Sequence, residues 1–200
     1  MIPQALAVLA GAGALALTPA VLPASHTAPP PPKVTGHHQH HDHHDGRADK
    51  LVTKIRRATA RFHDIAVAES AGYTQFKDVN GVSCIDMPGM GGMGVHYVNP
   101  KLIADPAIDP TAPEALVYAP ERDGTLRLAA LEYLVDRSAW RSSHSKAPEL
   151  FAGHAFDRTD SPNRFGLPTF YSQHVWVWKA NPAGRLAMWN PQVNCGNAPS

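Results

Sequence analysis

The longest amphipathic pattern in the chain begins after Asp49. Leu51, Ile55, Ala58, Phe62, Ile65, Ala66 and Glu69 recur at steps of three and four, and all but the last are apolar. Lys54, Arg56, Arg57 and Arg61 fall mainly off that stripe. A period near 3.6 with one apolar face predicts a helix over 50–71, capped by Asp49 and stopped at Gly72. Beyond it the texture changes to short apolar runs. Gly94–Val98, Ala115–Ala119, Thr125–Val135 and Tyr171–Lys179 read as strands. Between the second and third, Pro120-Glu-Arg-Asp-Gly124 is hairpin chemistry, because Asp-Gly tolerates the positive φ that tight turns need. Asx-Pro steps at Asn99, Asp105, Asp109, Asn181 and Asn190 mark loops. One long helix followed by mainly antiparallel strands predicts an α+β domain, with the helix packed on a curved, barrel-like sheet.

The first 46 residues follow another rule. Ala5 to Leu17 is an apolar run followed by Pro and small residues. Thirteen helical residues reach about 20 Å, short of a bilayer core of about 30 Å. That is the pattern of a secretory signal peptide, read here over 1–24, although Met1-Ile-Pro-Gln4 lacks the usual basic residue. Residues 25–46 are proline-rich and then histidine-rich, and such sequence buries too little apolar surface to fold, so a disordered tether is expected. A single domain over 47–200 remains, with no membrane span in the mature chain. The two cysteines, Cys84 and Cys195, favour a disulfide in an oxidising compartment, so a secreted or extracytoplasmic location is expected. A net charge of +1 gives no basic stripe to hold nucleic acid.

Histidine is the composition's anomaly. Of twelve, His37, His38, His40, His41, His43 and His44 crowd into eight positions, enough imidazoles to chelate copper, nickel or zinc as an auxiliary site. In the folded part, His96, Glu132, His154 and His174 stand inside strand-like apolar runs. Period-two alternation puts Glu132 on a face with Leu126, Leu128 and Ala130, and His174 with Trp176 and Trp178. A carboxylate within so apolar a strand is rarely buried unless it is paired or ligates a metal. Two or three histidines with one carboxylate is the donor set of zinc and non-haem iron sites. The leading expectation is therefore a secreted metal-binding protein, with His96, Glu132 and His174 as ligands and His154 as a fourth candidate. The metal would be zinc, copper or iron, and whether it catalyses a reaction is left open.

Three further features point elsewhere. Met87, Met90 and Met93 precede His96 and offer thioethers that suit copper, although methionine also fills gaps in ordinary loops. Gly89-Met-Gly-Gly-Met-Gly94 fits a dinucleotide fingerprint in letters only, since a strand rather than a helix follows it. Ser143-His-Ser-Lys146 lacks the partner motifs of the penicillin-binding class. The alternatives to a metal site are a small extracellular ligand held in a groove of Trp176, Trp178 and Trp189, or a structural, envelope-associated role.

Gly91-Gly-Met-Gly-Val-His-Tyr-Val-Asn99, Pro113-Glu-Ala-Leu-Val-Tyr118, Leu131-Glu-Tyr-Leu134, His174-Val-Trp-Val-Trp-Lys-Ala-Asn-Pro-Ala-Gly184 and Trp189-Asn-Pro191 with Cys195 follow one another along the chain. Across about residues 55–195 the chain resembles a family of small secreted bacterial proteins. The resemblance implies one exported domain, draws attention to His96, Glu132 and His174, and implies no particular activity.

Overall fold

The computed structural model describes residues 41–199. The segment read as a signal peptide, and His37, His38 and His40, lie outside the described residues. The first helix, α1, runs His41–Thr59, so it starts within the stretch expected to be a tether. Val52, Ile55 and Thr59 form its buried stripe, and the Thr59 hydroxyl donates back to the Ile55 carbonyl at 2.9 Å. The chain then tightens into a 3-10 turn, Ala60–His63, and re-enters a short helix, α2, Ile65–Ser70. The expected single helix over 50–71 is thus broken near Asp64. Its carboxylate accepts from the Ala66 amide at 2.9 Å and caps α2, an alternative that short polar side chains offer the backbone. Asp49 lies inside α1 and is no cap. Gly72 does end the run at φ +94, with the Tyr73 amide donating to the Ala68 carbonyl.

The strands are β1 Thr74–Gln75, β2 Cys84–Met87, β3 Gly91–Val98, β4 Ala115–Pro120, β5 Leu126–Asp136, β6 Glu149–Phe151, β7 His154–Ala155, β8 Asp157–Thr159 and β9 Phe170–Val175. Two short helices, α3 Pro100–Ile103 and α4 Arg137–Arg141, follow β3 and β5. The main sheet runs β1-β3-β4-β5-β9-β8, with β2 also on β3, and β6 pairs with β7 apart from it. Every pairing is antiparallel. The α+β expectation holds, but the sheet does not close into a barrel: it ends in short edges at β8 and at β1 and β2. The β4–β5 turn forms as expected, with Gly124 at φ +81 and Asp123 accepting from the Thr125 amide at 3.0 Å.

One face of the sheet packs on the helices. Val95, Tyr97, Leu116, Tyr118, Leu131, Tyr133 and Val175 form one buried cluster with Val52, Ile55 and Phe62. Buried tyrosines keep their hydroxyls satisfied, as when Tyr118 donates to the Phe62 carbonyl at 2.7 Å. The opposite face carries a smaller cluster of Val117, Ala119, Ala129, Ala130, Trp176 and Val193. In β5 the register slips beside Val117 and Tyr118, where Ala130 and then Leu128 are the partners. Ala129 is therefore a bulge residue. A bulge inserts one residue and inverts the alternation. Leu128 consequently points to the helix side, and not to the face of Glu132 as strict alternation implied.

The C-terminal segment crosses β3 in close contact. Gly92 bridges Asn190, and a Cβ on Gly91 would sit 2.1 Å from the Asn190 carbonyl oxygen. Gly91 also has φ +90, so glycine is required here twice over. That crossing brings Cys195 to Cys84, and the expected disulfide forms across Cα atoms 5.5 Å apart. Among the described residues, no helix is long and apolar enough to cross a membrane.

Candidate metal centre

His96 lies on β3, Glu132 on β5 and His174 on β9. Alternation places all three on the sheet face away from the helices, because Val95, Tyr97, Leu131, Tyr133 and Val175 point the other way. Glu132 and His174 are direct cross-strand partners. His96 lies two strands from Glu132, with β4 between, a separation of about 10 Å at the backbone. Ala115, opposite Glu132, contributes only a methyl group there and leaves room for the two long side chains to meet over β4.

They do meet. His96 Nε2 lies 3.2 Å from His174 Nε2 and 3.5 Å from Glu132 Oε2, and His174 Nδ1 is 3.9 Å from Glu132 Oε1. The imidazoles stand edge to face, centroids 5.4 Å apart. One donor atom from each residue fits within a common sphere, the atoms lying within 4.8 Å of one another. Two ligands about 2.0–2.1 Å from a tetrahedral ion sit about 3.3 Å apart, the scale of the two short contacts. The group can hold a metal ion.

Electrostatics at this site point the same way. Burial drives the His96 ring down to about 4; Glu132 pulls it up, His174 pushes it further down, and the Gly94 carbonyl pulls it up. His174 is driven to about 4 by burial. Both rings are therefore neutral at pH 7, with lone pairs free to ligate. Burial raises the Glu132 carboxyl above the ordinary range, against the opposing pull of His96 and of the Ser172 hydroxyl. A buried carboxyl beside two neutral imidazoles lacks a cation, and a divalent ion supplies one. His96 Nδ1 is buried without a hydrogen-bond partner. With Nε2 on a metal, Nδ1 carries the proton, and the Gly94 carbonyl is the acceptor nearby in the chain that could orient the ring.

His154 does not join this group. It is exposed on β7, and its carbonyl accepts from the Gln173 amide side chain at 3.4 Å. Gln173 is one residue from His174 and so projects to the opposite face, which puts His154 on the helix side of the sheet. The tryptophans separate as well. Trp176 is buried on the site's face, its ring 6.4 Å from that of His174 and its indole N–H donating to the Ala187 carbonyl at 2.6 Å. Trp178 packs on the helix side, with Nε1 donating to Thr59 and its ring edge-on to His63. Strand β9 stops at Val175, so alternation no longer governs Trp178; its amide instead reaches the Ala129 carbonyl freed by the bulge. Trp189 is half-buried in the following loop. These three form no common groove.

The methionines divide too: Met93 is buried, while Met87 and Met90 are exposed near the tip of the β2–β3 hairpin. His41, His43 and His44 lie in the first turns of α1. Two buried acids escaped the sequence reading. Glu114, just before β4, accepts from the Leu134 amide at 3.0 Å, and burial pushes its carboxyl up to about 8. Asp78 accepts from Arg164 at 2.6 Å and ties the loop after β1 to the segment before β9. Neither stands in an apolar run, so no local signal marked them. No family model, curated protein or solved structure matches the chain.

Proposed function

We propose that this is an exported metal-binding protein whose folded domain holds one divalent transition-metal ion between His96, Glu132 and His174. The observation that carries the reading is the convergence of three buried donor atoms from three different strands, with both imidazoles neutral at physiological pH. Two nitrogens and one carboxylate oxygen suit zinc or iron ahead of copper(I), which prefers thioethers. Three protein ligands leave a coordination position for water or a small molecule. An ion there would polarise what it binds, which makes hydrolytic or oxidative turnover the activity to look for. Export is supported by the apolar run at Ala5–Leu17 and by the disulfide. The histidine-rich stretch over 37–44 acts as an accessory chelator.

The test uses the full chain with His37, His38, His40, His41, His43 and His44 replaced by alanine. Zinc titrated calorimetrically then binds at one equivalent. Glu132→Gln, nearly isosteric, weakens that binding about tenfold or more, and His96→Ala with His174→Ala abolishes it. No binding to the tail-substituted chain would overturn the reading.

A further inference from the structure

The α1 helix, the β6–β7 hairpin and loop 183–187 enclose a cavity of about 970 Å³ that none of His96, Glu132 and His174 lines. That is at the upper end of the range for small-molecule sites. Its floor is Leu51, Leu150, Phe151 and Leu186, continuous with the main core. Four polar side chains stand at the rim: Arg47, Arg185, His154 and Glu149, all exposed. Glu149 is partly engaged, since its Oε2 accepts from the Gly153 amide at 3.1 Å. Arg185 meets no carboxylate in a salt bridge among the residues whose side chains are described.

The walls are tied down. Trp176 donates its backbone amide to the Arg185 carbonyl at 2.8 Å and its indole N–H to the Ala187 carbonyl. Gln173 holds β7 through the His154 carbonyl. A concavity fixed on two sides by Gln173 and Trp176 is preformed, and preformed sites lose less to ordering when a ligand enters. The chemistry of the lining is split. An apolar floor this long disfavours a sugar or other polar solute, whose hydroxyls would go unpaired there. Two guanidiniums against one engaged carboxylate disfavour a cation, and guanidinium is the side chain suited to carboxylate and phosphate oxygens.

We propose that this cavity binds a single-chain anionic amphiphile, its alkyl chain on the Leu51–Leu150–Phe151–Leu186 floor and its acidic head on Arg47 and Arg185. Calorimetric titration of the full chain with dodecanoate, kept below its micelle concentration, tests this against dodecyltrimethylammonium, which has the same chain and the opposite head. Dodecanoate binds at one equivalent and the cationic amphiphile binds at least tenfold more weakly. Arg47→Gln with Arg185→Gln, two exposed positions, weakens dodecanoate at least tenfold while leaving the urea midpoint unchanged. Leu150→Asp also weakens it, by interrupting the floor. Equal binding of the two amphiphiles, unchanged affinity in the arginine variant, or no binding of dodecanoate would each overturn the proposal.

Discussion

Two buried carboxyls lie on opposite faces of the same sheet and differ in what surrounds them. Glu132 has two imidazoles within reach. Glu114 accepts the backbone N–H of Leu134 and lies beside Tyr73 and Tyr133; burial, opposed by that bond and reinforced by Glu132 and Asp105, raises its carboxyl to about 8. For an acid raised in the folded state, the unfolded chain releases its proton first, at about 4.5. Stability from this group is therefore lost as pH climbs from about 4.5 to about 8. Glu114→Gln keeps the acceptor and removes the charge. It should raise stability by about 1–3 kcal/mol at pH 8 and by little at pH 4.5. Urea melts at the two pH values measure the difference, and equal effects at both would contradict the assignment. At this scale the three residues of the candidate metal centre were legible and the fourth candidate was not. His96, Glu132 and His174 stood out because ionisable residues inside apolar strands need a partner. Glu114 did not, because Pro113-Glu-Ala115 reads as a strand edge and only the fold buries it. His154 misled because an exposed two-residue strand resembles, in letters, the start of a buried one.

The elements depend on local devices as much as on pattern. Gly91 sits at φ +90 with the Asn190 backbone against it, whereas Gly153, at φ +79, has open space around its Cα. Gly91→Ala should cost about 2–4 kcal/mol, combining an unfavourable backbone with a steric clash. Gly153→Ala should cost only about 1 kcal/mol, from the backbone alone. Chemical denaturation of the two variants separates these terms, and equal losses would mean that the C-terminal crossing is not tightly packed. Strand positions were legible because alternation and turn chemistry agree, as at Asp123-Gly124. The Ala129 bulge was not, since one inserted alanine leaves no mark on an already apolar run. The break between α1 and α2 was missed for a related reason: the apolar spacing continues through Phe62 and Ile65, and Asp64 stops the helix by capping the next one.

For the molecule as a whole, the α+β class followed from element order, but the strand neighbours did not. β9 lies beside β5 and β1 beside β3, and such long-range partners are chosen by the folded sheet rather than by adjacent sequence. That choice assembles the candidate metal centre, since His96, Glu132 and His174 come from β3, β5 and β9. The disulfide fastens the C-terminal segment to the sheet across 111 residues. Closing a loop of that order contributes about 4–5 kcal/mol in the chain-entropy model, a large share of a typical domain's stability. Cys84→Ser with Cys195→Ser should lower the free energy of unfolding by about that amount in urea. A change below about 1 kcal/mol would show that the C-terminal crossing holds without it.

The measurement that bears most directly on the central claim is anomalous X-ray scattering at the zinc edge, from crystals of the tail-substituted chain grown with zinc. A single strong peak bonded to His96 Nε2, His174 and Glu132, at about 2.0–2.2 Å from each ligand atom, is the predicted result. Zinc found only elsewhere, with the two imidazoles still in contact at 3.2 Å, would contradict it.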